Sequence, residues 1–132
     1  VLAGVMAMRP RISGPLVEAG LVGPNPAGIS SVVAVAGVDH TLGFAPGWSI
    51  DSQLTWEAAR FADTANSFKT PALTLLSLGA RYRFDVDGHS ATFRIAANNL
   101  LNVRQWRAFP YGSMYVTDPQ TVRASLTLNF GA

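Results

Sequence analysis

Apolar and polar residues alternate along most of this chain, which is the pattern of β-strands whose two faces differ. The clearest example is the stretch 122–130, where apolar side chains occupy every second position. Helical periodicity is weak throughout. The alternation predicts an all-β fold, an antiparallel meander of about six long strands. Their predicted ranges are 1–8, 29–42, 48–60, 73–84, 91–100 and 121–130.

The connections between the predicted strands alternate between long and short. Long segments, rich in Pro, Gly or polar residues, occupy 9–28, 61–72 and 101–120, and short turns occupy 43–47 and 85–90. The predicted strands mostly run to about ten residues or more, whereas five or six are usual in soluble sheets. Long strands joined in this way are typical of transmembrane β-barrels.

The polar rows of the strands carry the charged residues, which favours a barrel over the main alternative, a soluble antiparallel β-sandwich. A mid-strand arginine is costly in a dry core but well solvated beside a wet lumen. Aromatic residues at strand ends, like the girdles of membrane proteins, favour the same choice. We expect the lumen arginines to pair with Asp51 or Glu57 on neighbouring strands, rather than to line a path through the lumen or to pair with a domain inside it. The predicted lumen-facing residues are Asp51, Glu57, Arg81, Arg83, Arg94 and Arg123.

Six strands cannot close a membrane barrel, because bacterial barrels begin at eight strands. An open edge in lipid would leave backbone N–H and C=O groups unpaired, at several kcal/mol each. The chain therefore needs partner strands. Residues 1–10 also lack an initiator methionine and a signal-peptide pattern. We expect the chain to be a piece of a longer protein.

Composition narrows the classes of function. Apolar residues make up 48% of the chain and charged residues 14%, against roughly 25% charged residues in soluble domains. The arginines are scattered, so no nucleic-acid partner is expected. There is no cysteine, and Asp85, Asp87 and His89 match only the start of a calcium loop. We expect no metal site, no cofactor and, since no nucleophile–base constellation is present, no enzyme.

Ordered motifs near the end of the chain resemble the last strands of TonB-dependent outer-membrane receptors, in particular the siderophore receptors. ANNLLNVRQW at 97–106 is similar to the end of the family's penultimate strand, with Asn99-Leu100 and Trp106 at its characteristic positions. TVRASLTLNF at 121–130 resembles the last strand. GARYRF at 79–84, FAPGWSI at 44–50 and GPNPAGIS at 23–30 resemble earlier segments of the same barrel.

The resemblance implies a barrel of roughly twenty-two strands around a plug, with residues 1–132 as a C-terminal fragment of the barrel domain that lacks the plug. It implies the outer membrane of a Gram-negative bacterium, contact with its lipid, and the barrel-assembly machinery as a partner. The implied function is uptake of a ferric siderophore or a similar scarce nutrient, driven by TonB through the missing N-terminal region. The long connections would then be extracellular and the short turns periplasmic.

The resemblance also makes 121–130 the barrel-closing strand, with its apolar row towards lipid and its last aromatic residue at the periplasmic interface. The apolar row is Val122, Ala124, Leu126, Leu128 and Phe130. The family usually ends on the aromatic residue, whereas Gly131 and Ala132 follow it here.

The third long connection is the candidate ligand-binding segment. Aromatic rings can stack on planar groups of a chelate, and guanidinium groups attract an anionic one. The alternative, which the sequence favours, is that these side chains anchor the loop at the interface or pack within it. The candidate residues are Arg104, Trp106, Arg107, Phe109, Tyr111 and Tyr115.

Three other classes of function share part of the pattern. A passive porin-type channel would have the same strands but no plug. A soluble β-sandwich binding module would bury its apolar row against a second sheet. An outer-membrane enzyme on a barrel scaffold is the remaining class, and the chain offers no catalytic constellation for it.

Overall fold

The computed structural model describes residues 1–130, with every side chain except that of Tyr111; Gly131 and Ala132 lie outside the described residues. The helical segments are α1 (Pro15–Glu18) and a 3-10 turn (Pro110–Gly112). No helix in residues 1–130 is long and apolar enough to cross a membrane. The strands are β1 (Leu2–Ala7), β2 (Val32–Thr41), β3 (Trp48–Glu57), β4 (Arg60–Phe61), β5 (Lys69–Thr70), β6 (Leu73–Val86), β7 (His89–Asn98), β8 (Trp106–Ala108), β9 (Met114–Val116) and β10 (Thr121–Asn129).

Within residues 1–130, the six longer strands form one antiparallel sheet in the order β1-β2-β3-β6-β7-β10. Each of these strands pairs with the one before and the one after it along the chain, which confirms the predicted meander. Strands β6 and β7 are joined by Asp87 and Gly88 alone, whose φ angles are 50° and 79°. Positive φ at both positions is the geometry of a type I′ hairpin turn. The ladder therefore reaches Val86 and His89, inside the predicted turn 85–90.

Several strands are shorter than predicted, and local contacts explain why. Strand β2 begins at Val32 rather than at residue 29, since Ser30 is buried and its Oγ donates a 2.8 Å hydrogen bond to the carbonyl of Ala58. Strand β7 ends at Asn98 rather than at residue 100, because Asn99 adopts a left-handed conformation with φ 49°. Beyond β3, the predicted continuation to residue 60 gives way to a separate β4–β5 ribbon.

The strand register gives the sheet two chemically different faces. On the apolar face, Trp48 lies opposite Tyr82, which lies opposite Phe93 across β3, β6 and β7. On the polar face, Arg81 lies opposite Arg94. Because side chains alternate along a strand, the register carries this separation across the sheet. All Asp, Glu and Arg residues within its six strands lie on the polar face.

The apolar face is exposed. On β10, Val122 is 66% and Leu126 59% exposed, and Ile50, Leu54 and Ile95 on the neighbouring strands are exposed as well. Within residues 1–130 no second sheet covers this face. The soluble sandwich would need such a sheet, so the described chain does not form that fold by itself.

Aromatic residues stand near both ends of the apolar face. At one end Trp48 stacks on Tyr82 with ring centroids 4.9 Å apart, and Tyr82 stacks on Phe84 at 5.3 Å. Trp56 lies eight positions further along β3, near the other end. At about 3.3 Å per residue, the two tryptophans of β3 stand about 26 Å apart along the strand.

All three long connections leave the same end of the sheet, which we call the loop end. They are the first connection (8–31), the second (58–72) and the third (99–120). The short turns 42–47 and 87–88 lie at the opposite end, called the turn end. The buried apolar side chains of residues 1–130 lie mostly at the loop end, so the connections pack into a small core there. They are Ala27, Ala62, Leu73, Ala91 and Ala108.

Candidate functional site

The third connection is fastened to the sheet by Asn99. Its Nδ2 donates to the carbonyl of Val103 at 3.0 Å and to that of Asp118 at 2.8 Å, while its Oδ1 accepts from the N–H of Val103 at 2.9 Å. The side chain of Thr117 is also buried here and donates to the same Val103 carbonyl at 2.7 Å. The two ends of the connection are therefore held together by buried hydrogen bonds, and Asn99 of the Asn-Leu pair has a structural role.

Between these anchors, β8 and β9 form a hairpin closed by the 3-10 turn. Arg107 lies directly opposite Tyr115 in this hairpin, with its guanidinium carbon 5.6 Å from the centre of the tyrosine ring. Phe109 stacks on the same tyrosine ring with a centroid separation of 4.4 Å. The hairpin thus joins a guanidinium and two aromatic rings in one group.

Glu57, at the loop end of β3, pairs with two arginines. Its Oε2 contacts Arg60 of β4 and Arg107 of the hairpin. The three side chains are 14%, 12% and 16% exposed, respectively, so we call them the charged cluster. One carboxylate facing two guanidinium groups leaves the cluster with an excess positive charge. Burial, followed by repulsion from Arg107, lowers the pKa of Arg60.

One donor of the charged cluster is unused. The Nε of Arg107 is buried and has no hydrogen-bond partner among the described residues. A cleft of about 460 Å³ lies against this arginine on the polar side of the sheet. Leu75 and Ser77 belong to its floor, and Tyr115, Arg123 and one acidic residue, Asp118, also line it. An excess positive charge, an unpaired buried donor and an aromatic wall together suit a planar, anionic ligand.

The other predicted ligand-binding residues lie elsewhere. Trp106 is 59% exposed and pairs with Val116, so it projects from the opposite face of the hairpin to its neighbour Arg107. Arg104 is exposed and precedes the hairpin. The side chain of Tyr111 lies outside the described residues. The structure therefore groups Arg107, Phe109 and Tyr115, and leaves Arg104 and Trp106 apart from them.

The predicted lumen residues divide into two sets. Asp51 contacts Arg94 at 3.0 Å and lies 4.0 Å from the Nε of Arg81. Arg81 also contacts Asp39, which is not among the predicted lumen-facing residues. These four residues form the ladder network, whose formal charges cancel. In residues 1–130, Arg83 and Arg123 contact no carboxylate closely enough for an ion pair.

Gly79 makes room for the ladder network. A Cβ at this position would lie 2.6–2.8 Å from the carboxylate of Asp51, so any larger residue would push that carboxylate away. Asp39 lies directly opposite Asp51 across β2 and β3, and like charges in that arrangement repel. Arg81 contacts Asp39 and lies 4.0 Å from Asp51, so its positive charge offsets the repulsion between the two carboxylates. Asp39 is identified by the register of β2 against β3, which places it opposite Asp51. The sequence does not state this register, so Asp39 was not predicted.

The first connection is joined to the other two. Asn66, with a φ of 60°, bonds to Asn25 through both atoms of its side-chain amide, at 2.7–3.0 Å. Gly28 donates its N–H to the carbonyl of Phe61 at 2.8 Å. A Cβ on Gly28 would lie 2.3 Å from the backbone of Phe109 and Pro110. The three connections therefore pack closely against one another at the loop end.

The turn residues Asp85, Asp87 and His89 lie at the opposite end of the sheet from these groups. Among residues 1–130, no three His, Asp or Glu side chains converge as the ligands of a metal ion would.

Comparison with known proteins gives two informative matches. No protein-family model matches the chain. The ferrichrome receptor FcuA of Yersinia enterocolitica is 24% identical over 110 residues, which are 82% of this chain and 14% of FcuA. The structure of BauA, the ferric preacinetobactin receptor of Acinetobacter baumannii, matches with a TM-score of 0.72 at 24% identity, over 80% of this chain and 16% of BauA. The chain thus spans about one seventh of the first receptor, and the second match shows a common fold.

Proposed function

We propose that this chain is a C-terminal part of the β-barrel of a TonB-dependent outer-membrane receptor, which takes up a ferric siderophore or a similar scarce nutrient. The observation that carries the proposal is the exposed apolar face of the sheet. A face this apolar on a sheet that lacks a cover needs lipid or protein against it. The two relatives, named as receptors for ferrichrome and ferric preacinetobactin, support the receptor role and the class of ligand.

The dimensions of the apolar face fit a membrane. Trp48 and Trp56 on β3 are about 26 Å apart along the strand. Strands of outer-membrane barrels tilt by about 35–45°, so this separation is about 18–21 Å along the membrane normal, within the apolar band about 25 Å tall that lies between their two aromatic girdles. The polar face, with the ladder network, would then line the lumen, where water can solvate its arginines.

The edges of the sheet also require neighbours. Within residues 1–130, strand β10 pairs only with β7, and β1 only with β2. In lipid the free edges would leave backbone groups without hydrogen bonds, so further strands must complete the barrel. On this proposal those strands, the plug and the TonB-contacting segment belong to the rest of a longer chain.

Single-tryptophan variants test which surface meets lipid. The full-length protein would be reconstituted in vesicles containing brominated lipids, which quench a tryptophan only on contact. Variants that retain only Trp48 or only Trp56 should be quenched strongly, and a variant that retains only Trp106 should be quenched weakly. Equal, weak quenching of all three variants would refute the proposed lipid face.

The proposed ligand site is the cleft beside Arg107, Phe109 and Tyr115. Ferrichrome and ferric preacinetobactin serve as probes, and their uptake is measured in cells with and without TonB. For the chelate that binds, Arg107→Gln and Tyr115→Ala should each weaken binding about tenfold. Trp106→Ala, on the other face of the hairpin, is the control and should leave the affinity unchanged. TonB-independent uptake would favour a passive channel instead.

A further inference from the structure

A second cavity lies at the loop end, between the first and second connections. Its volume is about 280 Å³, at the small end of the range for ligand sites. Of the residues that the structure describes, four cationic side chains and no carboxylate line it. We call it the cationic pocket, and its charged residues are Arg9, Arg11, Arg60 and Lys69.

Most of the positive charge in the cationic pocket is uncompensated. Within the described part of the chain, Arg9, Arg11 and Lys69 form no ion pair with Asp or Glu. Arg60 shares the carboxylate of Glu57 with Arg107, so Glu57 neutralises only part of the charge of Arg60. Solvent screens the repulsion among the exposed cations Arg9, Arg11 and Lys69, and an anion that entered the cavity would interact favourably with all of them.

Neutral partners contact three of these cations, and of the three Arg60 also contacts the carboxylate of Glu57. Arg11 donates to the Oδ1 of Asn25 at 2.9 Å, and Arg60 donates to the carbonyl of Gly28 at 3.1 Å. The Nζ of Lys69 lies 4.5 Å from the centre of the Phe61 ring, at cation–π distance. Arg11 and Lys69 are therefore positioned by neutral partners that leave their charge available to a ligand.

We propose that the cationic pocket binds a phosphate-type oxyanion carrying two or more negative charges. Guanidinium groups match the oxygens of such an anion with paired N–H donors, and an ammonium adds a point charge. A dianion would neutralise most of the unpaired charge, and one or two phosphate groups suit the small volume. This site is separate from the proposed chelate site, which lies against the third connection.

Calorimetric titration tests the site with pyrophosphate as the probe, on the full-length protein in a neutral detergent at low salt. Arg9→Gln and Lys69→Gln should each weaken binding about tenfold, and the double variant about a hundredfold. Both side chains are exposed, so the fold should be retained. The matched control is Arg83→Gln, which removes the same charge from the polar face of β6 and should change the affinity less than twofold.

A wild-type protein that does not bind pyrophosphate would overturn the proposal, as would an equal loss of affinity in Arg83→Gln. A second arm identifies the source of the phosphate, because a lipid headgroup and a soluble phosphate share this chemistry. Nanodiscs containing phosphatidic acid should weaken pyrophosphate binding, relative to phosphatidylcholine nanodiscs, if the natural ligand is a lipid. Unchanged binding would identify a soluble phosphate compound. Neither arm depends on iron uptake, so this proposal and the proposed function fail separately.

Discussion

The charged cluster gives the sharpest test of the packing at the loop end. Glu57→Gln keeps the size of the side chain but removes the charge that holds Arg60 and Arg107 together. The two guanidinium groups would then face each other in a site where each is less than one-fifth exposed. Breaking a buried pair costs about 3–5 kcal/mol, whereas exposed pairs contribute at most about 1 kcal/mol.

Since the charged cluster is mostly but not fully buried, we expect Glu57→Gln to cost about 2–4 kcal/mol of local stability. That is a factor of about 30 to several hundred in the opening equilibrium. Hydrogen exchange of peptides from 58–72 and 99–120, in the full-length protein, measures it directly. Adding Arg107→Gln removes the repulsion between the two guanidinium groups, so the double variant should regain part of the lost protection.

The control is Asp51→Asn in the ladder network, where the carboxylate and its partner Arg94 are about twice as exposed. There we expect a loss of about 1 kcal/mol, because solvent screens the pair. If Glu57→Gln accelerates exchange no more than Asp51→Asn does, the charged cluster is solvated and the argument from burial is wrong.

Three further outcomes are expected. Asn99→Ala removes three buried hydrogen bonds at a left-handed position and should cost about 3 kcal/mol, seen as fast exchange over 99–120; unchanged exchange would contradict the anchor. Gly79→Ala should cost about 1–2 kcal/mol by displacing the Asp51 carboxylate, measured by denaturant unfolding, and should cost nothing if that carboxylate is free to move. The side-chain hydrogen bond from Ser67 is the main cause that lowers the pKa of Asp63. The resulting stability of the second connection is present above the unfolded-state pKa of this carboxyl and is lost as pH falls through its folded-state pKa. Ser67→Ala should move that loss to higher pH, as followed by exchange over 58–72.

The strands and their faces could be predicted well from the sequence. A period of two is a property of the extended chain itself, so the apolar row of 122–130 and its polar counterpart follow from local order alone. The turn that contains Asp87 and Gly88 could also be predicted, because few dipeptides accept positive φ at both positions. The residues at which strands begin and end were harder to predict from the sequence. The buried hydroxyl of Ser30 and the left-handed Asn99 end their strands through contacts made by other segments.

The third connection shows where prediction from composition stops. Its aromatic and arginine residues marked it as a binding candidate, but the hairpin within it was not predicted. That hairpin puts Arg107 and Trp106 on opposite faces, because neighbours along a strand point in opposite directions. Trp106 and Arg107 are adjacent in the sequence and were predicted to act together, but the structure places their side chains on opposite faces.

The sequence by itself determined an all-β meander, its two unlike faces and the placing of all long connections at one end. The first two features follow from the alternation of apolar and polar residues along each strand. The third follows because each strand reverses the direction of the chain, so every second connection lies at the same end of the sheet. Only the tertiary structure decided which charges meet: Glu57 with Arg107 fifty positions away, Asp39 with Arg81, and four cations around one cavity. Those contacts depend on register between strands and on packing between connections. Both are set by the sum of many weak interactions across the sheet and the connections.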